Sequence, residues 1–216
     1  MSRDIHSFIV NALTISRVPL IVLFAVFAII AQFRGGMILP WVAGFFMFAA
    51  GISDMFDGKL ARKWKVVSTF GKMADPLMDK VFFIVVFPTL LWLICVQAES
   101  VVHGLVMLIF AILWILRDQW VTFLRAVAST YHADVSAMWL GKVRTALSFP
   151  CAGFVYAYLA LHRPGCLPEC LAADLWMPYM LWTVYFIESF LIVLNIYSCY
   201  VYTRVYLPYI RKSIEG

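Results

Sequence analysis

The chain has 216 residues, 64% of them hydrophobic and 13% charged, with a net charge of +5. Soluble domains are typically about half apolar and about a quarter charged, so a soluble globular protein is excluded. The expectation is one all-α integral membrane domain over residues 1–216, with no separate soluble domain.

Residues 1–11 carry Asp4 and His6 and lead into an apolar run of spanning length, so no cleavable signal peptide is expected. About twenty apolar residues cross a bilayer as a helix, and six such segments are read: about 14–33, 37–62, 71–96, 101–129, 136–162 and 175–206. Arg34-Gly35-Gly36 breaks the first from the second, and 63–70 is a short basic turn. Pro76 falls in the first turns of the third, where proline is tolerated, and Asp75 before it reads as a helix cap. Pro164, Gly165 and Pro168 mark the loop before the sixth segment. No internal repeat is visible.

Lys and Arg placement sets the expected topology. All of the 17 basic residues except Arg34 and Arg163 fall at the N-terminus, the second and fourth connections with their flanks, or the C-terminus. Both termini are therefore expected in the cytoplasm, in a bacterial inner membrane. Asp54, Asp57, Asp75 and Asp79 straddle the second connection and so belong to the cytoplasmic end. A site there takes a lipid from the leaflet and a water-soluble partner from the cytosol.

Carboxylates near hydrocarbon are expensive and are kept for ions, protons or phosphate chemistry. On a helix turning about 100° per residue, Asp57, Gly58 and Ala61 lie within about 60° of Asp54. Two acids thus share a face with two small residues that leave room for a ligand. Gly71, Asp75 and Asp79 are spaced four apart on the next segment, again on one face. Antiparallel packing across the short turn brings the faces together as an oxygen cage for a divalent cation such as Mg²⁺ or Mn²⁺. The alternative, that the acids cap helices or pair with Lys63, Lys72 or Lys80, accounts for Asp75 but not for two acids sharing a face on the preceding helix.

The full run is Asp54-x₂-Asp57-Gly58-x₂-Ala61-Arg62-x₈-Gly71-x₃-Asp75-x₃-Asp79. It resembles, at every fixed position, the motif of the CDP-alcohol phosphotransferase family of membrane enzymes. The resemblance implies a six-helix core, two divalent ions (Mg²⁺ or Mn²⁺) and transfer of a substituted phosphate from a CDP-linked donor to an alcohol, with release of CMP. It implies metal ligation by Asp54, Asp57, Asp75 and Asp79, nucleotide contacts from Gly58, Ala61 and Gly71, and phosphate contacts from Arg62. Asp79 matches the general base for the acceptor hydroxyl. The family often dimerises, so a homodimer among membrane lipids is expected, and no nucleic-acid partner.

Further residues resemble the phosphatidylglycerophosphate synthase branch, which joins CDP-diacylglycerol to sn-glycerol 3-phosphate. These are Asn11-x-x-Thr14-x-x-Arg17 at the first helix, Arg117-Asp118, Leu124-Arg125 and Gly141-Lys142-x-Arg144-Thr145. Asp118 departs from the glutamate expected at its position. Arg117, Arg125, Lys142 and Arg144 would bind the acceptor phosphate; ordinary positive-inside charge is the alternative for each. Other acceptors (inositol phosphate, serine or a phospholipid) share the cage. A cation transporter would place its acids near the midplane in repeated halves, unlike this chain.

Glu188, within the sixth segment, is either functional or bonded to Ser189, Asn195 or another helix. His103 and His162 are expected near the opposite surface, and the late tyrosines as interface anchors and packing. Cys95, Cys151 and Cys199 read as small buried hydrophobes. Cys166 and Cys170 would pair only if their loop faces an oxidising compartment.

Overall fold

The computed structural model describes residues 2–34, 36, 38–66, 69–97, 100–132, 139–163 and 173–215, without the side chains of 2–4, 55, 69–73, 75, 76, 173–175 and 215. Cys166, Cys170 and Asp134 lie outside the described residues. Six helices follow in order: α1 (Ser2–Phe33), α2 (Ile38–Trp64), α3 (Thr69–Gln97), α4 (Val101–Thr130), α5 (Trp139–Leu161) and α6 (Ala173–Glu215). The described residues contain no strand.

The all-helical membrane architecture is as expected. Five helices, all but α5, are long and apolar enough to cross a membrane. Lys142 and Arg144 stand in the first turns of α5. The stretch that follows, 145–161, falls short of the roughly twenty apolar residues of a span and includes Pro150 and two tyrosines. The helices also outrun their apolar segments. α1 starts at Ser2, well before the greasy run, because its early turns pack on α2, with His6 stacked on Trp64 and Val10 buried, and such packing supplies most helical stability.

Helix ends have local causes. Gly36, at φ +112°, makes the break between α1 and α2 in a conformation that side chains disfavour. At the end of α2 the Val66 N–H donates to Ala61 O at 3.1 Å and the Lys65 N–H to Arg62 O at 3.4 Å. With Lys65 at φ 54°, this is a Schellman cap, closed by buried Val66. Ser100 caps α4 by accepting from the His103 N–H.

The chain divides into two compact units. The first comprises Met1–Ala98 and Ala152–Pro178; the second comprises Glu99–Cys151 and Tyr179–Gly216. The seams fall inside α5 and α6, next to Pro150 and at Pro178, where proline removes a rung of the helical hydrogen-bond ladder.

In the first unit α1 runs antiparallel to α2 and parallel to α3. His6 stacks on Trp64 and Phe27 on Phe46, while Phe33 meets Trp92. Val10, Thr14, Arg17, Ile21, Phe24, Ala28 and Ala31 are buried. Their spacing of three and four makes one stripe, and two of its members are polar. The Tyr156 hydroxyl donates to Pro40 O at 2.7 Å, and Arg163 donates to Ala31 O at the end of α1.

In the second unit α4 and α6 run parallel. The buried stripe of α4 passes through His103, Met107, Phe110, Trp114, Arg117, Val121, Leu124 and Ala128. That of α6 passes through Val184, Glu188, Leu191, Asn195, Ser198, Tyr202 and Tyr206. The first half of α5 lies antiparallel to α4, with Trp114 Nε1 donating to Ser148 Oγ at 3.2 Å. Both units leave large apolar side chains exposed, among them Ile29, Ile109 and Phe186. Such wide apolar surface suits lipid rather than water. Of the three described cysteines Cys151 is buried as expected, whereas Cys95 is exposed.

Candidate active site

The first unit gathers its acids on one arginine. Arg17 is fully buried on α1. Its Nη2 lies 2.8 Å from Asp54 Oδ1 and 2.7 Å from Asp57 Oδ2, and its Nη1 3.3 Å from Asp79 Oδ1. Asp57 is buried and also accepts from Thr14 Oγ1 at 3.0 Å. One turn earlier on α2, Ser53 Oγ donates to Leu13 O at 2.9 Å and fixes the register of α1 against α2. Asp54 and Asp79 differ from Asp57 in reaching the surface, their side chains being 40% and 37% exposed.

Thr14 and Arg17, expected as contacts from the N-terminal helix, both touch the acids directly. Asn11 sits half-buried one turn before Thr14. Gly58 and Ala61 are half-buried on α2, and a Cβ built on Gly58 would meet nothing within 4 Å, so the space above it is open. Arg62 is exposed, and its Nε donates to Gly58 O at 3.0 Å. Gly71 and Asp75 belong to α3, but the Asp75 side chain and the surroundings of Gly71 lie outside the described residues. Asp75 is no N-cap, because α3 starts six residues earlier at Thr69.

Among the described residues no three His, Cys, Asp or Glu groups already form a metal-binding set. Among the described ion pairs of the cluster the cation is the Arg17 guanidinium. Its single charge meets three carboxylates, an excess of two negative charges over those pairs. All the ligand atoms are hard carboxylate oxygens, and two of the acids are open to solvent. That donor set and residual charge fit a divalent ion such as Mg²⁺ or Mn²⁺.

The second unit holds the opposite charge. Arg117 is buried, and its Nε and Nη2 donate to Ser198 Oγ at 3.0 and 2.5 Å. Its guanidinium lies 4.8 Å from the centre of the Tyr202 ring, and that of Arg125 lies 5.2 Å from it. Arg125 Nη2 also donates to the Tyr202 hydroxyl at 3.0 Å. Arg144 stacks on Trp114 at 4.4 Å, donates to Asp118 Oδ1 at 3.2 Å and reaches Asn195 Oδ1 at 3.3 Å. Asp118 is also 4.0 Å from Arg117. Two guanidiniums, of Arg144 and Arg117, therefore face the Asp118 carboxylate, and a third, of Arg125, shares the Tyr202 ring with Arg117; among the described contacts three cations gather around one acid, an excess of positive charge suited to an anion. Three of the four expected basic residues come together; Lys142 is exposed on α5 and takes no part in these contacts.

Ser198, Asn195 and Tyr202 were not singled out for this site from the sequence. The available signal was polar residues recurring at three- and four-residue spacing along an apolar helix. Tyr197 and Tyr200 are exposed, as interface anchors would be, whereas Tyr202 and Tyr206 point inward. His103, in the first turn of α4, also faces inward. It is fully buried with Nε2 3.4 Å from Glu188 Oε1, so another helix supplies the partner of that acid.

A family profile described as CDP-alcohol phosphatidyltransferase matches residues 8–198. A Rickettsia bellii protein named CDP-diacylglycerol–glycerol-3-phosphate 3-phosphatidyltransferase is 31% identical over 189 residues, covering 87% of this chain and 91% of its own. A Mycoplasma genitalium protein of the same name is 33% identical over 160 residues; the match covers 70% of this chain but only 61% of that protein's length. A Streptomyces coelicolor protein named cardiolipin synthase (CMP-forming) is 32% identical over 82 residues, 38% of each chain. The profile runs from within α1 to Ser198 inside α6 and takes in the charged residues of both clusters, and on that match the chain belongs to the CDP-alcohol phosphatidyltransferase family.

Proposed function

We propose that the protein is a CDP-diacylglycerol–glycerol-3-phosphate 3-phosphatidyltransferase of phospholipid biosynthesis. It would transfer a phosphatidyl group from CDP-diacylglycerol to sn-glycerol 3-phosphate and release CMP. The carrying observation is the convergence of Asp54, Asp57 and Asp79 on one buried cation. The relatives' names support the acceptor, as does the positively charged arginine cluster, which suits a phosphate dianion better than free serine.

Asp54, Asp57, Asp75 and Asp79 would hold two divalent ions, which neutralise the pyrophosphate and the departing CMP. Gly58, Ala61 and Gly71 leave the nucleotide room against the backbone, and Arg62 turns from its own helix to the phosphates. Arg117, Arg125, Lys142 and Arg144 would bind the acceptor phosphate. Asp79, held by Arg17 yet exposed, accepts the acceptor hydroxyl proton. The new bond forms between that oxygen and the lipid-bearing phosphorus as the bond to CMP breaks. The chain acts as a single catalytic domain, as a homodimer in the bacterial inner membrane, with site and termini on the cytoplasmic side.

The test is CMP release from CDP-diacylglycerol by protein in detergent, across a panel of acceptors. Release should need glycerol 3-phosphate and Mg²⁺, stop with EDTA, and fall at least 100-fold in Asp79→Asn, in line with loss of a general base. Release with inositol phosphate or serine instead would keep the chemistry and discard the acceptor. No CMP release with any acceptor from folded protein, beside cation uptake once the protein is reconstituted into sealed vesicles, would discard the reading.

A further inference from the structure

We propose that Tyr202, on α6, is the positioning residue that sets the acceptor-binding arginines, and that Gly141 on α5 is its required seat. The proposal rests on the reading of the arginine cluster as the acceptor phosphate site and goes beyond it to what orients that cluster.

Tyr202 is fully buried. It belongs to a core cluster with Val121, Leu124, Ala128 and Tyr206. Rings continue behind it, from Tyr206 at 6.2 Å to Tyr209 and on to Tyr131, each a further 6.4 Å away. The ring is thus fixed from one side by packing. Toward the cluster it meets two guanidiniums of like charge, which would repel and spread in its absence. The negative ring face attracts both, and the hydroxyl takes one hydrogen bond from Arg125. Arg117 is tied in turn to Ser198, one turn earlier on α6. The α6 stripe therefore holds two basic side chains of α4 in set positions before any ligand arrives, and pre-set groups bind an anion without an ordering cost.

Gly141 supplies the space. A Cβ there would stand 2.8 Å from the Tyr202 hydroxyl oxygen, 3.5 Å from Arg117 Nη2 and 3.7 Å from the next Tyr202 ring atom. Tyr202 is fully buried, with rings behind it and guanidiniums before it, so its hydroxyl cannot turn away into solvent. Any side chain at 141 would push the hydroxyl off Arg125, and this conflict disappears if the hydroxyl is removed.

The experiment is steady-state kinetics on purified protein in detergent, varying acceptor and donor separately. The acceptor is whichever one the wild type uses. Tyr202→Phe should raise the acceptor KM roughly three- to tenfold, as for loss of one hydrogen bond, with kcat and the KM for CDP-diacylglycerol near wild type. Gly141→Ala should do the same alone and add nothing in the Tyr202→Phe background. A purely structural tyrosine would instead disturb both substrates together. An unchanged acceptor KM in Tyr202→Phe, beside a raised one in Arg125→Ala, would overturn the proposal while sparing the acceptor site. So would additive effects of the two substitutions. An unchanged acceptor KM in Arg125→Ala would overturn both.

Discussion

Arg17 combines two tasks that the sequence pattern assigns to different groups. It is the counterion that allows Asp57 to stay buried, and under the proposed function it would share Asp54 and Asp79 with a divalent cation. Breaking a buried ion pair by removing one partner is costly because the remaining charge is stranded. Arg17→Gln should therefore destabilise the protein by roughly 2–3 kcal/mol in EDTA, discounted because Asp54 and Asp79 reach solvent. Mg²⁺ should restore much of the loss, since a divalent ion replaces the missing charge. Thermal unfolding in detergent, with and without Mg²⁺, measures both. A melting temperature for Arg17→Gln that does not respond to Mg²⁺ would show that the cluster does not exchange one cation for another. The acids were legible in the sequence because their spacing alone puts them on shared faces. Arg17 was legible only as one member of a short motif, because its meaning depends on α1 lying against α2 and α3.

At the scale of the helix, α4 and α6 show how a membrane protein carries polar residues without exposing them. Each has one polar-bearing stripe, and the two stripes are in register from His103 with Glu188 to Arg117 with Ser198. The apolar runs that reveal the helices conceal this. Composition locates a segment, but which of its faces meets a neighbour follows from packing. For that reason the extent of α1, the burial of His103 and the inward face of Tyr202 escaped the sequence reading, while the number and order of the helices did not. The His103–Glu188 contact joins the early turns of α4 to α6 inside the second unit. His103→Leu should cost about 1–3 kcal/mol by leaving the buried Glu188 carboxyl without its imidazole. His103→Leu with Glu188→Leu should cost less than the single change, because a matched apolar pair needs no partner. A double-mutant cycle on detergent-purified protein measures the difference; equal costs for single and double variants would mean that the pair is not coupled.

Over the whole molecule, apolar side chains lie exposed on both units, while Arg17, Asp57, Arg117, Arg144 and Glu188 are buried beside partners within their own unit. Five helices suited to crossing a bilayer predict that alkaline carbonate will not release the protein from membranes and that detergent will. Recovery in the carbonate supernatant would mean attachment at the surface only. The units divide the charge as well. The acids and Arg17 belong to Met1–Ala98, while Arg117, Asp118, Arg125 and Arg144 belong to Glu99–Cys151. This division bears on how the chain is made. Asp79, the last described acid to contact Arg17, is followed by the rest of α3, which ends at Gln97. Every described member of that cluster is therefore synthesised before α4. Arg17 can offset one of the three carboxylates without waiting for a later helix, which lowers the charge that α1 to α3 carry toward the bilayer.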